Sequence, residues 1–130
     1  MPDFPSPQTC VKPYQNRPCG LINALFLPTL KPEEPVFYCA DILEAGADPY
    51  YESIDLIDAF HPQTILAYDL NGKRLPVANG APLRLRVERQ LGYKHAKYVL
   101  RVQAVQDLHH ISGGRGGFWE DRGYEWYAGV

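Results

Sequence analysis

The residues best suited to chemistry lie in one stretch, NGAPLRLRVERQLGYKHAK, running from Asn79 to Lys97. It gathers Arg84, Arg86, Arg89, Lys94 and Lys97 around Gly80, Gly92 and His95, with Glu88 as its single acid. Glycine turns expose backbone N–H groups, and a fixed Lys or Arg beside them completes a site for a phosphate-like anion. Arg84 and Lys97 would converge there if the segments carrying them run antiparallel. Two other readings stay open. The cations can decorate a solvated strand face, the usual fate of Arg and Lys. Nucleic acid is the weaker rival, because only Tyr93 and Tyr98 supply aromatics among the cations.

The surrounding elements follow from local patterns. In PLRLRV, Leu83, Leu85 and Val87 alternate with Arg84, Arg86 and Glu88, which predicts a strand with one buried and one charged face. Upstream, TILAYDLNGKRLPV places Asn71-Gly72 between apolar runs, a strong hairpin signal because both residues accept positive φ. A further strand is expected at KYVLRVQAV, from Lys97 to Val105, and a buried one at VFYCA, from Val36 to Ala40. SIDLIDAF predicts a short helix over Ser53 to Phe60, with Ser53 as N-cap and Pro62 beyond its end. The balance is α+β: a strand-rich mixed sheet with short helices, not alternating βαβ units.

Composition bounds the rest. A chain of 130 residues with 45% hydrophobic and 22% charged residues is an ordinary globular sequence of about one domain. Its formal net charge of -2 argues against general attraction to nucleic acid, so an anion site must be local. Eight of the 12 prolines fall within residues 1–35, which predicts an irregular arm with at most a short helix over Leu21 to Leu27. Residues 36–130 form the compact unit. Cys10, Cys19 and Cys39 make an odd set without metal spacing or a disulfide framework. No stretch is long and apolar enough for a membrane span, and Met1 is followed by PDFPSPQ, unlike a secretory signal. A cytoplasmic setting is therefore expected over a periplasmic one. His61 fits a helix-ending loop and His109-His110 a loop before glycines, so no histidine is assigned to a metal.

In their order, HPQTILAYDLNGKRLPVANGAPLRLRV, LGYKHAKYVLRV and WEDRGY closely resemble the molybdopterin-dependent oxidoreductases of the sulfite oxidase family. The bacterial methionine sulfoxide reductase catalytic subunits look nearest. The resemblance runs from about Val36 to the C-terminus and implies a Mo-molybdopterin cofactor and two-electron oxygen-atom transfer. It carries cofactor contacts onto Asn79 and Arg84 of NGAPLR, onto His95, Ala96 and Lys97, and onto Asp41 of CAD. For the second group it implies backbone contacts plus one cation for the pterin phosphate. Asp41 otherwise reads as a capping or solvated loop residue. Tyr124 in WEDRGY matches an active-site tyrosine, with Arg122 suited to an oxyanion; the alternative is that the YEWY cluster is packing.

The resemblance also implies a molybdenum-ligating cysteine in an N-terminal half. Cys10 in QTCVKPY echoes its setting without the surrounding tryptophans, and Cys39 matches a cysteine that is not the ligand. The chain is thus expected to be the C-terminal part of a molybdopterin domain: a fragment, or one piece of a split enzyme. It would associate with its missing half or with itself, and a haem protein is the implied electron partner. The competing expectation is a cofactor-free remnant or interaction module with the same partial fold.

Overall fold

The computed structural model describes residues 34–130. The expected Leu21–Leu27 helix, Cys10 and nearly all of the proline-rich arm lie outside the described residues. Among the described residues there are seven strands: β1 Glu34–Cys39, β2 Tyr51–Ser53, β3 Thr64–Ala67, β4 Asp69–Leu70, β5 Lys73–Arg74, β6 Arg84–Val87 and β7 Val99–Val105. They are joined by one short helix, α1 Leu56–Ala59, and by 3-10 turns at Val77–Asn79, Gly92–Lys94 and Glu120–Arg122. This is the α+β, strand-rich arrangement that the patterning predicts.

The strands form a three-stranded sheet in the order β2-β1-β7 and two antiparallel pairs, β3-β6 and β4-β5. Apolar alternation explains how the first two pack together. Leu85 and Val87 of β6 are fully buried, while Arg86 between them is exposed. They share one core with Phe37 and Cys39 of β1, Ile54, Ala59 of α1, Leu66 of β3, Ala96 and Val99. Each such large apolar side chain stabilises the fold by about 1.5–3 kcal/mol when fully buried. The Asn71-Gly72 hairpin forms as expected: both residues have positive φ, 52° and 78°, between β4 and β5.

Two boundaries differ from expectation. The helix is capped by Asp55, whose side chain accepts from Asp58 N at 2.7 Å, and not by Ser53. Ser53 belongs to β2, opposite Val36, and its hydroxyl donates to Gly116 O at 2.5 Å. Tertiary pairing thus takes the residue that local capping would have used. Lys97 also precedes its strand, since β7 begins at Val99 and pairs with β1, not with β6.

Candidate functional site: an anion cradle around Gly80

Arg84 and Lys97 meet, though not as partners on neighbouring ladder strands. The segment before β7 crosses the start of β6, fixed by Leu85 N donating to Ala96 O at 2.8 Å and Val99 N donating to Leu83 O at 3.0 Å. Tyr98 N donates to Gly80 O at 3.0 Å. Gly80 ends the Val77–Asn79 turn at φ 111°, a left-handed conformation that favours glycine. A Cβ there would stand 2.9 Å from Lys97 Cγ and 3.4 Å from Arg84 Cβ. The two cationic stems therefore pass over the same glycine.

Ion pairing separates the five cations of the stretch. Arg86 pairs with Glu88, Arg89 reaches Asp58 at 3.5 Å, and Lys94 is buried between Glu52 and Glu120 at 2.8 Å each. Among the described residues, Arg84 and Lys97 have no carboxylate partner. Arg84 makes a long contact, 3.5 Å, from its guanidinium to Asn79 O, and its buried Nε has no hydrogen-bond partner. An unpaired buried donor is costly unless a ligand satisfies it. The two cations left without acids are thus the two at Gly80, as a phosphate site requires.

On its other side Lys97 lines a cavity of about 170 Å³ with Asp41, Leu43, Tyr50, Gly92, Tyr93 and His95. Three of the expected cofactor contacts, Asp41, His95 and Lys97, therefore share one pocket, while Asn79 and Arg84 flank Gly80. Ala96 is fully buried. Its N–H donates to Lys94 O, and that of His95 to Gly92 O, so both are committed within the chain. The Lys97 N–H has no such partner among the described residues. His95 Nε2 lies 2.8 Å from Val87 O and 3.1 Å from Gln90 O, and burial holds the imidazole below its usual range.

Tyr124 is half exposed. Its ring lies 5.3 Å from that of Trp119 and meets Tyr93 edge-on at 5.1 Å, so one aromatic wall joins it to the cavity. Arg122 donates to Glu44 at 2.9 Å and to Phe118 O at 3.0 Å, which ties the Glu120–Arg122 turn to both segments. Cys39 is buried, and desolvation, with Glu52 and Asp41 adding to it, pushes its thiol up to about 12. It is a core residue, not a thiolate ligand. Among the described residues, no group of His, Cys, Asp and Glu is arranged to hold a metal ion.

One burial is not legible in the sequence. By residue type and position Lys94 belongs with the anion site, yet it is fully enclosed. Its partners Glu52 and Glu120 lie 42 and 26 residues away, and neither segment carries a local signal of that pairing.

Two cations without acid partners over one glycine suit the phosphate of an organic cofactor. The family model described as the oxidoreductase molybdopterin-binding domain matches residues 23–110, more than half of the chain, which therefore belongs to that family. The chain is 45% identical over 83 residues to a putative protein-methionine-sulfoxide reductase subunit, YedZ1, of Azospira oryzae. That match covers 64% of this chain and 29% of the relative. It is 35% identical over 106 residues to the protein-methionine-sulfoxide reductase catalytic subunit MsrP of Xanthomonas axonopodis pv. citri, covering 75% of this chain and 33% of that protein. The chain thus spans about a third of these curated relatives. The matches favour a molybdopterin-binding domain over a cofactor-free module.

Proposed function

We propose that this chain holds the phosphate end of molybdopterin between Arg84 and Lys97, within an oxidoreductase that acts on a sulfoxide of the kind named for its relatives. The carrying observation is that these two cations, alone in their stretch, lack acid partners and pass over one glycine. When bound, the cofactor supplies two-electron oxygen-atom transfer at molybdenum.

The chain's own residues bind, orient and screen. Lys97 offers an ammonium and a backbone N–H to the phosphate, and Arg84 offers a guanidinium whose buried Nε awaits an acceptor. Asn79, Asp41 and His95 would hold the pterin ring through polar contacts, and burial keeps the His95 imidazole below its usual range. Tyr124, braced by Trp119 and Tyr93, is the residue we place beside the reacting centre. Both relatives are named as subunits, which supports a partner subunit here; a haem protein is one class of partner that could deliver electrons singly.

The test is production of the chain in a molybdate-competent host, followed by molybdenum analysis and pterin fluorescence after denaturation. Pterin should co-purify with the wild type and be lost from R84A/K97A. Pterin retained by that double variant would overturn the cradle.

A further inference from the structure

Lys94 is surrounded by protein on every side. Its ammonium lies 2.8 Å from Glu52 Oε1, 2.8 Å from Glu120 Oε1 and 5.4 Å from the centre of the Trp126 ring. Glu52 and Glu120 are as deeply buried as Lys94. The triad ties together β2, the Gly92–Lys94 turn and the Glu120–Arg122 turn that leads to Tyr124. Gly117, bridged to Glu52, is the residue that leaves room for it: a Cβ there would overlap Glu120 Oε2. The Tyr50 hydroxyl sits 3.4 Å from Glu52 Oε2, donates to Tyr93 O, and belongs to the residue that walls the cavity beside Lys97.

We propose that Lys94 is the positioning residue of the cradle: clamped by Glu52 and Glu120, it fixes the 92–97 turn so that Lys97 stands over Gly80 beside Arg84. This rests on the phosphate-holding reading above. Two residues separate the clamp from Lys97. The turn is held within itself by His95 N to Gly92 O and Ala96 N to Lys94 O, and its far end is held to β6 by Leu85 N donating to Ala96 O and by His95 Nε2 beside Val87 O. The clamp adds a buried anchor at the near end of the turn, to β2 and to the Glu120–Arg122 turn, that those bonds do not supply.

Two carboxyl groups face one ammonium, and an uncompensated buried charge is strongly destabilising. Of the two, Glu52 is the one that burial disposes to keep its proton. Desolvation raises Glu52 well above the ordinary carboxylate range, opposed by Lys94 and reinforced by Glu120. Tyr50, Tyr51, Tyr93 and the Cys39 thiol are the other titratable groups that feel its charge, and all stay protonated because burial raises them. For an acid whose folded pKa lies above its unfolded value, stability is lost as pH rises from about 4.5 through the folded pKa. The clamp loosens in the same window, when a second negative charge enters the triad.

The test is calorimetric titration of the full chain with inorganic sulfate, a stand-in for the phosphate dianion whose charge is constant over the range. Wild type, K97A, K94M, K94M/E52Q/E120Q and E52Q are compared at constant ionic strength and several pH values, with unfolding followed in parallel. K97A should lose sulfate while remaining folded, whereas sulfate binding unchanged in K97A would remove the cradle and the positioning role with it. K94M should bind about tenfold more weakly although Lys97 is intact. The charge-free triple variant covers the case in which K94M fails to fold, and should show the same weakening. Above pH 6.5, where His95 no longer titrates, wild-type affinity should fall as pH rises and the E52Q profile should be flat, because a neutral amide replaces the titrating carboxyl. Sulfate affinity equal to wild type in folded K94M or in the triple variant, or a matching pH profile in E52Q, would overturn the proposal while leaving the cradle intact.

Discussion

Lys97 lies across Gly80: a Cβ on that glycine would stand 2.9 Å from Lys97 Cγ and 3.0 Å from Lys97 Cβ. The contact makes Gly80→Ala a test of the cradle. The φ of 111° adds strain for any L side chain. G80A should lower stability by about 1–3 kcal/mol and displace Lys97, read as a lower urea midpoint together with weakened sulfate binding. Full affinity in G80A would show that Lys97 does not need its present place.

Arg84 and Arg86 are two residues apart on β6 and should behave oppositely. Arg86 is exposed and pairs with Glu88 at the surface, an arrangement worth about 0–1 kcal/mol, so R86A should leave anion binding unchanged. R84A removes a charged donor at the site and should weaken binding by about tenfold or more. Equal effects of the two substitutions in a parallel titration would return the stretch to a solvated strand face.

Gly117→Ala should be among the most damaging single changes. A Cβ would overlap Glu120 Oε2 and fall 2.5 Å from Glu52 Oε1, inside a triad with no solvent to yield into. The expected loss is about 3 kcal/mol or more, combining overpacking with a broken buried ion pair. Chemical denaturation at constant m-value measures it, and a loss within experimental error would mean that the triad is looser than its geometry.

His95 should titrate below the free imidazole value of 6.5. Burial is the main cause, while the carbonyls of Val87 and Gln90 oppose it by accepting from Nε2. Because the folded pKa is depressed, the unfolded chain takes up the proton first, and stability is lost as pH falls below about 6.5. Proton NMR of the His95 ring gives the midpoint directly; a value at or above 6.5 would contradict the buried, neutral assignment.

Cys39 should resist thiol reagents in the native state. Its thiol, pushed up to about 12, stays protonated at neutral pH, and the side chain is enclosed by the core. In a C10S/C19S variant labelling should follow unfolding, so reaction with a thiol reagent in native buffer, at a rate near that of the denatured chain, would refute the placement.

Features built from neighbours in the chain are legible in the sequence. Asn71-Gly72 specifies its turn because both residues accept positive φ, and Leu85 with Val87 declares the buried face of β6 because a strand repeats every two residues. The stretch from Asn79 to Lys97 is legible as a candidate anion site in the same way, through residue types, with a solvated strand face as the competing reading. The helix cap shows where this stops. Ser53 and Asp55 are both competent caps, and the choice falls to Asp55 only because Ser53 is held in β2 and bonded to Gly116, 63 residues away.

The sequence by itself determined the supply of groups: five cations, the glycines among them, and the alternation that turns Arg84 and Arg86 away from the core. Only the tertiary structure decided their fates. Burial against Glu52 and Glu120 withdrew Lys94 from solvent, acids took Arg86 and Arg89, and the crossing of residues 96–99 over 83–85 brought Lys97 to Arg84. The physical reason is range. Turn and strand preferences act over a few residues of backbone, whereas desolvation and charge pairing depend on whatever the folded chain places within a few ångströms.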